Sequence, residues 1–261
     1  MAYTTIELKF SGEIATLTLA RPEKRNAISA AMIADLMGVF AEVELHSARV
    51  LILTGAGKAF CSGMDLEELK ASASQTAADR VEDSRRLARV YRRIWSFPKP
   101  TIAAVNGPAI AGGCGLATLC DFTIAVPEGK FGYPEVRIGF LPAIVSVFLA
   151  RQIGEKRARD LLLSGRMIGA EEACRIGLVS EIVSGDNLLA AAQSLAEQLL
   201  SATPLSLLKT KKLLCDFAAP ELDRDLELAA AEGAQMRSTE DFREGLASFL
   251  EKRPPRWKAR D

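Results

Sequence analysis

The chain has one histidine, His46, and that scarcity removes whole classes of chemistry. A Ser-His-Asp or Cys-His machine would have to use it, yet no Gly-x-Ser-x-Gly elbow accompanies it. Its position in the polar tail of a predicted helix makes it a surface residue. Cys61, Cys114, Cys120, Cys174 and Cys215 are odd in number, with no Cys-x-x-Cys spacing and no neighbouring histidine. That pattern argues against a disulfide framework and a structural zinc site, and for small buried apolar residues in a reducing compartment. Net charge is absent too. Thirty-three Lys and Arg balance 33 Asp and Glu, so no overall field draws in nucleic acid or an anionic membrane. No run reaches the ~20 apolar residues that a membrane span needs. The opening Met-Ala-Tyr-Thr-Thr-Ile-Glu carries no charged leader followed by an apolar stretch. A cytoplasmic enzyme is the expectation.

What the chain does have is an ordinary globular composition, 49% hydrophobic and 25% charged over 261 residues. That length suits one large α/β core, or a core with an appended helical piece. Ile6 to Phe10 and Ile14 to Leu19 alternate in polarity around Ser11-Gly12-Glu13, the pattern of a hairpin. Met32, Ile33, Leu36, Val39, Phe40 and Val43 recur at helical spacing from Ser29 to Leu45. Val50 to Leu53 and Thr101 to Val105 read as buried strands separated by a charged helix from Thr76 to Trp95, and Phe122 to Val126 as another strand. Ile144 to Gln152 and Glu155 to Leu163 read as helices. Strands alternating with helices predict an α/β architecture rather than a sandwich. From Asn187 onward only helices are expected: Leu188 to Leu200, Leu205 to Phe217, Glu221 to Arg237 and Asp241 to Leu250, with Thr203 capping Pro204. The expected division is a core over 1–186 and a helical module over 187–261, whose Ala- and Leu-rich faces suit burial against a partner subunit or the core.

Two glycine-centred segments each follow an apolar strand: Ala59-Phe60-Cys61-Ser62-Gly63-Met64-Asp65-Leu66, and Asn106-Gly107-Pro108-Ala109-Ile110-Ala111-Gly112-Gly113-Cys114-Gly115. Gly63 permits a sharp turn that leaves the Met64 N–H aimed into a cleft at the start of a short helix. Gly112 and Gly113 open a helix, so their amides and the positive end of its dipole face an incoming oxygen. Either loop alone reads as a strand terminus with close helix contact. Together they form a pair of converging N–H groups, the device that holds negative charge as it develops on a carbonyl oxygen.

With those residues the chain resembles the crotonase superfamily of enoyl-CoA hydratases and isomerases. The resemblance spans nearly the whole chain: Thr16 to Leu19, Arg21-Pro22-Glu23-Lys24-Arg25-Asn26-Ala27, both glycine segments, Cys120-Asp121-Phe122, Phe131-Gly132-Tyr133-Pro134-Glu135, and Ala170 to Val179. It implies a spiral of strand-strand-helix units and a C-terminal module that packs in a homotrimer or a homohexamer built as a dimer of trimers. It implies that Met64 and Gly112 donate to an acyl-CoA thioester oxygen and that Glu135 is the acid/base. By the same resemblance Asp65 and Leu66 line the CoA channel, Lys24 stands at its mouth, and Phe249 with Lys252 meet the adenine and 3′-phosphate at a neighbouring subunit. No metal or redox cofactor is implied, coenzyme A being part of the substrate.

One position departs from the family's hydratases, which carry a second glutamate three residues after the oxyanion glycine. Here that residue is Gly115. Hydration divides naturally between two carboxyls, whereas one carboxyl suffices to shuttle a proton between carbons. Gly115 therefore favours a Δ3-Δ2 enoyl-CoA isomerase. Glu135-Val136-Arg137-Ile138-Gly139 followed by Phe140-Leu141-Pro142-Ala143-Ile144-Val145 resembles the methylglutaconyl-CoA hydratase branch and favours hydration. Hydratase is the leading expectation and isomerase the alternative. Hydrolysis or decarboxylation of a related thioester would use the same scaffold. A CoA-binding subunit without catalytic activity is the reading from a different class.

Overall fold

The computed structural model describes residues 3–257. The chain opens with strands β1 (Ile6–Ser11) and β2 (Ile14–Leu19), paired antiparallel with Ser11 opposite Ile14 across a tight turn in which Gly12 takes φ +56°. Helix α1 (Ala30–Leu45) starts where the Ser29 hydroxyl accepts from the Met32 amide, and it returns the chain to β3 (Val50–Gly55), parallel to β2. Helices α2 (Leu66–Ala71) and α3 (Ala77–Trp95) lead to β4 (Thr101–Val105), parallel to β3. Strand β5 (Ala109–Ile110) and helix α4 (Gly112–Thr118) precede β6 (Phe122–Ala125), parallel to β4. Each turn of this spiral lays one more strand beside the last.

Strand β7 (Lys130–Gly132), helices α5 (Ala143–Ile153) and α6 (Glu155–Ser164), strand β8 (Met167–Gly169), helix α7 (Ala170–Arg175) and strand β9 (Glu181–Ile182) follow. Helices α8 (Leu188–Leu200), α9 (Pro204–Met236) and α10 (Glu240–Leu250) end the described chain. The six-stranded sheet runs β1-β2-β3-β4-β6-β9, and a small second sheet runs β5-β7-β8.

Alternation along a strand explains why β3 and β4 are apolar throughout. Leu51, Leu53, Ala103 and Val105 face the main core with α1 and α3, whereas Val50, Ile52, Ile102 and Ala104 pack on Leu188, Ala192 and Ala196 of α8. The change to an all-helical chain at 187 is thus no break in packing, since α8 covers the second face of the sheet.

Two details differ from the sequence expectations. The helices expected on either side of Pro220 are one continuous α9. Proline removes the bond to the Asp216 carbonyl, but Asp216 is exposed, so water can take that carbonyl, and α3 ties down both halves of α9. Cys215 Sγ donates to the Trp95 carbonyl at 3.3 Å, and Arg92 and Arg85 reach Asp223 and Glu227 at 2.7 and 2.9 Å. His46 is not a free surface residue. It ends α1, stacks on Phe10 with ring centroids 3.7 Å apart, and accepts at Nδ1 from the Ala48 amide.

Candidate functional site

The first glycine turn is pinned from three directions. Cys61 N donates to the Pro108 carbonyl at 3.2 Å and Ile110 N to the Cys61 carbonyl at 2.9 Å, tying this turn to the strand that feeds the second one. Ile28 N donates to the Gly63 carbonyl at 2.8 Å and Asp65 N to the Ile28 carbonyl at 2.9 Å. These bonds bracket Met64, whose own N–H has no partner among the described residues. Asn26, fully buried, supports the turn from below: its amide donates to the carbonyls of Ala56 and Ala59 at 2.9 and 2.8 Å, and its side-chain oxygen accepts from Arg21 N at 2.9 Å.

The second turn is built on strain. Ala111 adopts φ +54°, ψ −125°, a region that L-residues occupy at a cost of about 1–3 kcal/mol and that clusters at functional sites. Its N–H is held by the Gly132 carbonyl at 2.8 Å, so α4 begins with the N–H groups of Gly112 and Gly113 free of partners among the described residues. A Cβ on Gly113 would collide with the Cys61 carbonyl, and one on Gly63 would lie 2.9 Å from Ala111 Cβ and 3.5 Å from Gly112 N. The two turns therefore touch, and only glycine permits the approach.

Glu135 sits in the short 3-10 turn Pro134–Ile138, where proline presets the first helical φ. It is 9% exposed, and its Oε2 is buried with no hydrogen-bond partner among the described residues. Burial pushes its pKa up to about 7, only partly offset by a backbone hydrogen bond. Burial raises the pKa of Tyr91, Tyr133 and Cys114, and the charge of Glu135 adds a smaller push to each, as expected of a group near the second glycine turn. Tyr91 is the link that sequence reasoning missed. Fully buried on α3, it donates its hydroxyl to the Gly112 carbonyl at 2.7 Å. Met64 and Gly112 thus lie on touching turns, and Glu135 acts on Tyr91 and Cys114, which flank the second of them. Gly115, beside them, is packed: a Cβ there would lie 2.8 Å from Val145 Cγ1 and 3.3 Å from the Tyr91 ring.

The other candidate residues fall into two groups. Asp65 is 5% exposed, and its carboxylate is fully engaged: one oxygen accepts from Glu67 N at 3.1 Å as the cap of α2, the other from Arg21 at 3.0 Å. Leu66 packs with Leu69, Phe140, Phe242 and Leu246. Lys24, half-exposed, pairs with Glu67 at 3.0 Å. Phe249 and Lys252 are exposed at the far end of α10. That helix lies across the Glu135 turn of its own chain, where Gly245 meets Ile138 and Gly139 meets Asp241 with no room for a Cβ.

Two surface clefts of about 540 and 280 Å³ border α9, both lined by Lys211 and Cys215, and neither includes Met64, Gly112 or Glu135. The chemistry, not the volume, marks the site. All five cysteines are free thiols, and burial pushes Cys61, Cys114 and Cys120 up to about 12, far from a reactive thiolate. Among the described residues no three His, Cys, Asp or Glu side chains gather as metal ligands, and no helix is long and apolar enough to cross a membrane.

Known proteins share this architecture. A profile of the enoyl-CoA hydratase/isomerase family matches residues 9–260. The chain is 43% identical to a putative enoyl-CoA hydratase of Thermus thermophilus, with 94% of this chain and 98% of that protein aligned. It is 37% identical to the (E)-benzylidenesuccinyl-CoA hydratase of Thauera aromatica, over 96% and 97%. Its fold superposes on the crystal structure of an enoyl-CoA hydratase/isomerase from Xanthobacter autotrophicus Py2 with a TM-score of 0.89, at 31% identity over 99% of this chain and 100% of that one. The spiral of strands with its helical C-terminal region is the crotonase-like α/β fold, and the chain belongs to the enoyl-CoA hydratase/isomerase family.

Proposed function

We propose that the protein hydrates 2-enoyl-CoA thioesters, adding water syn across the double bond. The observation that carries this reading is a buried, unpartnered carboxyl, Glu135, together with two touching glycine turns on which the Met64 and Gly112 amides have no partner among the described residues. The N–H groups of Met64 and Gly112 donate to the thioester oxygen and stabilise the enolate in the transition state, needing no proton transfer of their own. With its pKa near neutrality, Glu135 takes a proton from water as the water oxygen bonds to the β-carbon, then returns that proton to the α-carbon of the enolate. One water is added and the carboxylate is regenerated. Hydration is also the activity for which the Thermus and Thauera relatives are named. The steps require no cofactor, and coenzyme A enters as part of the substrate, with Lys24, Leu66, Phe249 and Lys252 as its proposed contacts and Asp65, whose own polar groups are engaged, bracing the channel wall.

The packing around Gly115 favours a second reading. With Val145 and Tyr91 against that position, no second carboxyl has room there, and one acid suffices for Δ3-Δ2 enoyl-CoA isomerisation. Incubation with crotonyl-CoA and with a 3-enoyl-CoA, followed by product identification by mass and chromatography, separates the two. Gain of one water supports hydration; double-bond migration at constant mass supports isomerisation; no turnover of either, with acyl-CoA binding unaffected by Glu135→Gln, would leave a CoA-binding subunit.

A homotrimer or homohexamer and a cytoplasmic location belong to the same proposal. Leu205, Leu213, Leu214 and Phe217 are 54–75% exposed on the first half of α9, a surface suited to burial between subunits. Light scattering coupled to gel filtration tests the assembly.

A further inference from the structure

Glu135 is not the only buried ionisable side chain without a full set of partners. Arg237, just past the end of α9, is 7% exposed. A guanidinium carries five N–H donors, yet Arg237 makes one hydrogen bond with the described residues, from Nη2 to the hydroxyl of Ser84, itself 3% exposed. Its Nε is buried with no partner, and no carboxylate of the described residues pairs with it. A second guanidinium stands nearby. Arg80 also has a buried, unpartnered Nε and donates only to the Gln75 carbonyl. Burial pulls the pKa of Arg237 down, Asp83 opposes that and Arg80 adds to it. The Asp83 carboxylate is itself shared with Arg86 at 3.4 Å. Burying a cation without pairing it is costly, and two adjacent ones cost more. Such an arrangement is stable when an anion completes it.

Its place in the fold says which anion. Ser84, Ala88 and Tyr91 are the buried residues of one face of α3, and Tyr91 holds the Gly112 carbonyl at the second glycine turn. Seven residues of helix set the Arg237–Ser84 pair ~10 Å along α3 from that contact. On its other side, Arg237 leads into α10, where Phe242 packs with Leu66 of α2 and with Phe140, whose amide is held by the Glu135 carbonyl at 2.9 Å. Arg237 is therefore linked through α3 to Gly112 and through α10 to the elements that carry Met64 and Glu135.

We infer that Arg237, with Ser84 orienting it and Arg80 adding charge, binds a carboxylate at the far end of the acyl chain, so that the substrates are enoyl-CoA thioesters of short dicarboxylic acids. This rests on the acyl-CoA reading above. A guanidinium fork matches a carboxylate with two parallel charge-assisted hydrogen bonds, which a neutral alkyl end cannot supply.

Binding of saturated thioesters tests it without turnover. Succinyl-, glutaryl- and adipyl-CoA are titrated calorimetrically against butyryl-, valeryl- and hexanoyl-CoA, each pair matched in chain length. At least one carboxylated member should bind roughly 10- to 100-fold more tightly than its neutral partner, and Arg237→Met should abolish that preference while Arg237→Lys keeps part of it. Equal or weaker binding of all three carboxylated thioesters overturns the inference, as does a preference that survives Arg237→Met. Should Arg237→Met fail to fold, the wild-type comparison still decides, and Ser84→Ala, which unseats the guanidinium, should reduce the preference. A preference for the carboxylated thioester without any enoyl-CoA turnover would sink the hydratase and isomerase readings and leave the carboxylate site standing; turnover of crotonyl-CoA without that preference would do the reverse.

Discussion

Asp65 and Glu135 are both buried carboxyls beside the glycine turns, and their surroundings drive them in opposite directions. Burial alone would raise the pKa of Asp65, but the Arg21 guanidinium and the first amides of α2 outweigh it and hold the group below the usual carboxylate range. Glu135 has no cation and an orphaned Oε2, so burial acts almost unopposed and lifts it to about 7. A satisfied carboxylate is a brace; an unsatisfied one keeps a proton ready for exchange near neutral pH. Two differences act together: Glu135 is enclosed more deeply than Asp65, and only Asp65 has partners.

The sharpest test of that contrast is turnover. Glu135→Gln should lower kcat on the enoyl-CoA substrate by ~10²–10⁴-fold while leaving acyl-CoA binding within a few-fold, read by steady-state kinetics and calorimetry. In the wild type, kcat/KM should rise as pH climbs through about 7, since the hydration step begins from the carboxylate. Next in size is Gly113→Ala, whose Cβ would strike the Cys61 carbonyl and push the turns apart. With Glu135 intact, loss of amide alignment should still cost roughly 10²-fold in kcat/KM.

Stability should then separate the two carboxyls by sign. Because the folded pKa of Glu135 lies above its unfolded value, the folded state binds the extra proton between about pH 4.5 and 7, and stability from this group falls as pH rises through that window and levels off above it. Glu135→Gln should therefore raise the unfolding free energy at pH 8 by on the order of 2 kcal/mol in a urea titration. Asp65 has the reverse sign: its folded pKa is depressed, so its contribution is present above the unfolded value and lost as pH falls through the folded one. Asp65→Ala removes a helix cap and strands Arg21, and should lower stability at neutral pH by about 2 kcal/mol. The smallest effect expected is that of Tyr91→Phe, which keeps the ring but frees the Gly112 carbonyl. A loss of about 1 kcal/mol in transition-state stabilisation, seen in kcat with KM little changed, would mark Tyr91 as a positioning residue.

Local signals carried much of this into the sequence. The β1–β2 hairpin, the Ser29 and Thr203 caps and the buried β3 and β4 follow from polarity and capping rules acting over a few residues. The glycine turns were legible because glycine marks close approach, and Glu135 because the family pattern singled out an otherwise unremarkable glutamate. What stayed hidden depends on partners far away in the chain. Asp65 becomes a brace through Arg21, 44 residues earlier, and Arg237 is seated by Ser84, 153 residues away. Strands β5, β8 and β9 have two or three residues each, too few to show any period. Pro220 reads locally as a stop, and packing of α9 against α3 and α5, distant in the chain, holds the helix together across it.

The central claim is that the Met64 and Gly112 amides converge on one carbonyl oxygen beside Glu135. The infrared carbonyl stretch of crotonyl-CoA bound to Glu135→Gln, where turnover is blocked, reads this directly. Two donors polarising the thioester should shift the band to lower frequency than in free crotonyl-CoA, and Gly113→Ala introduced into the same background should return it toward the free value. A bound carbonyl band at the free frequency would contradict the account.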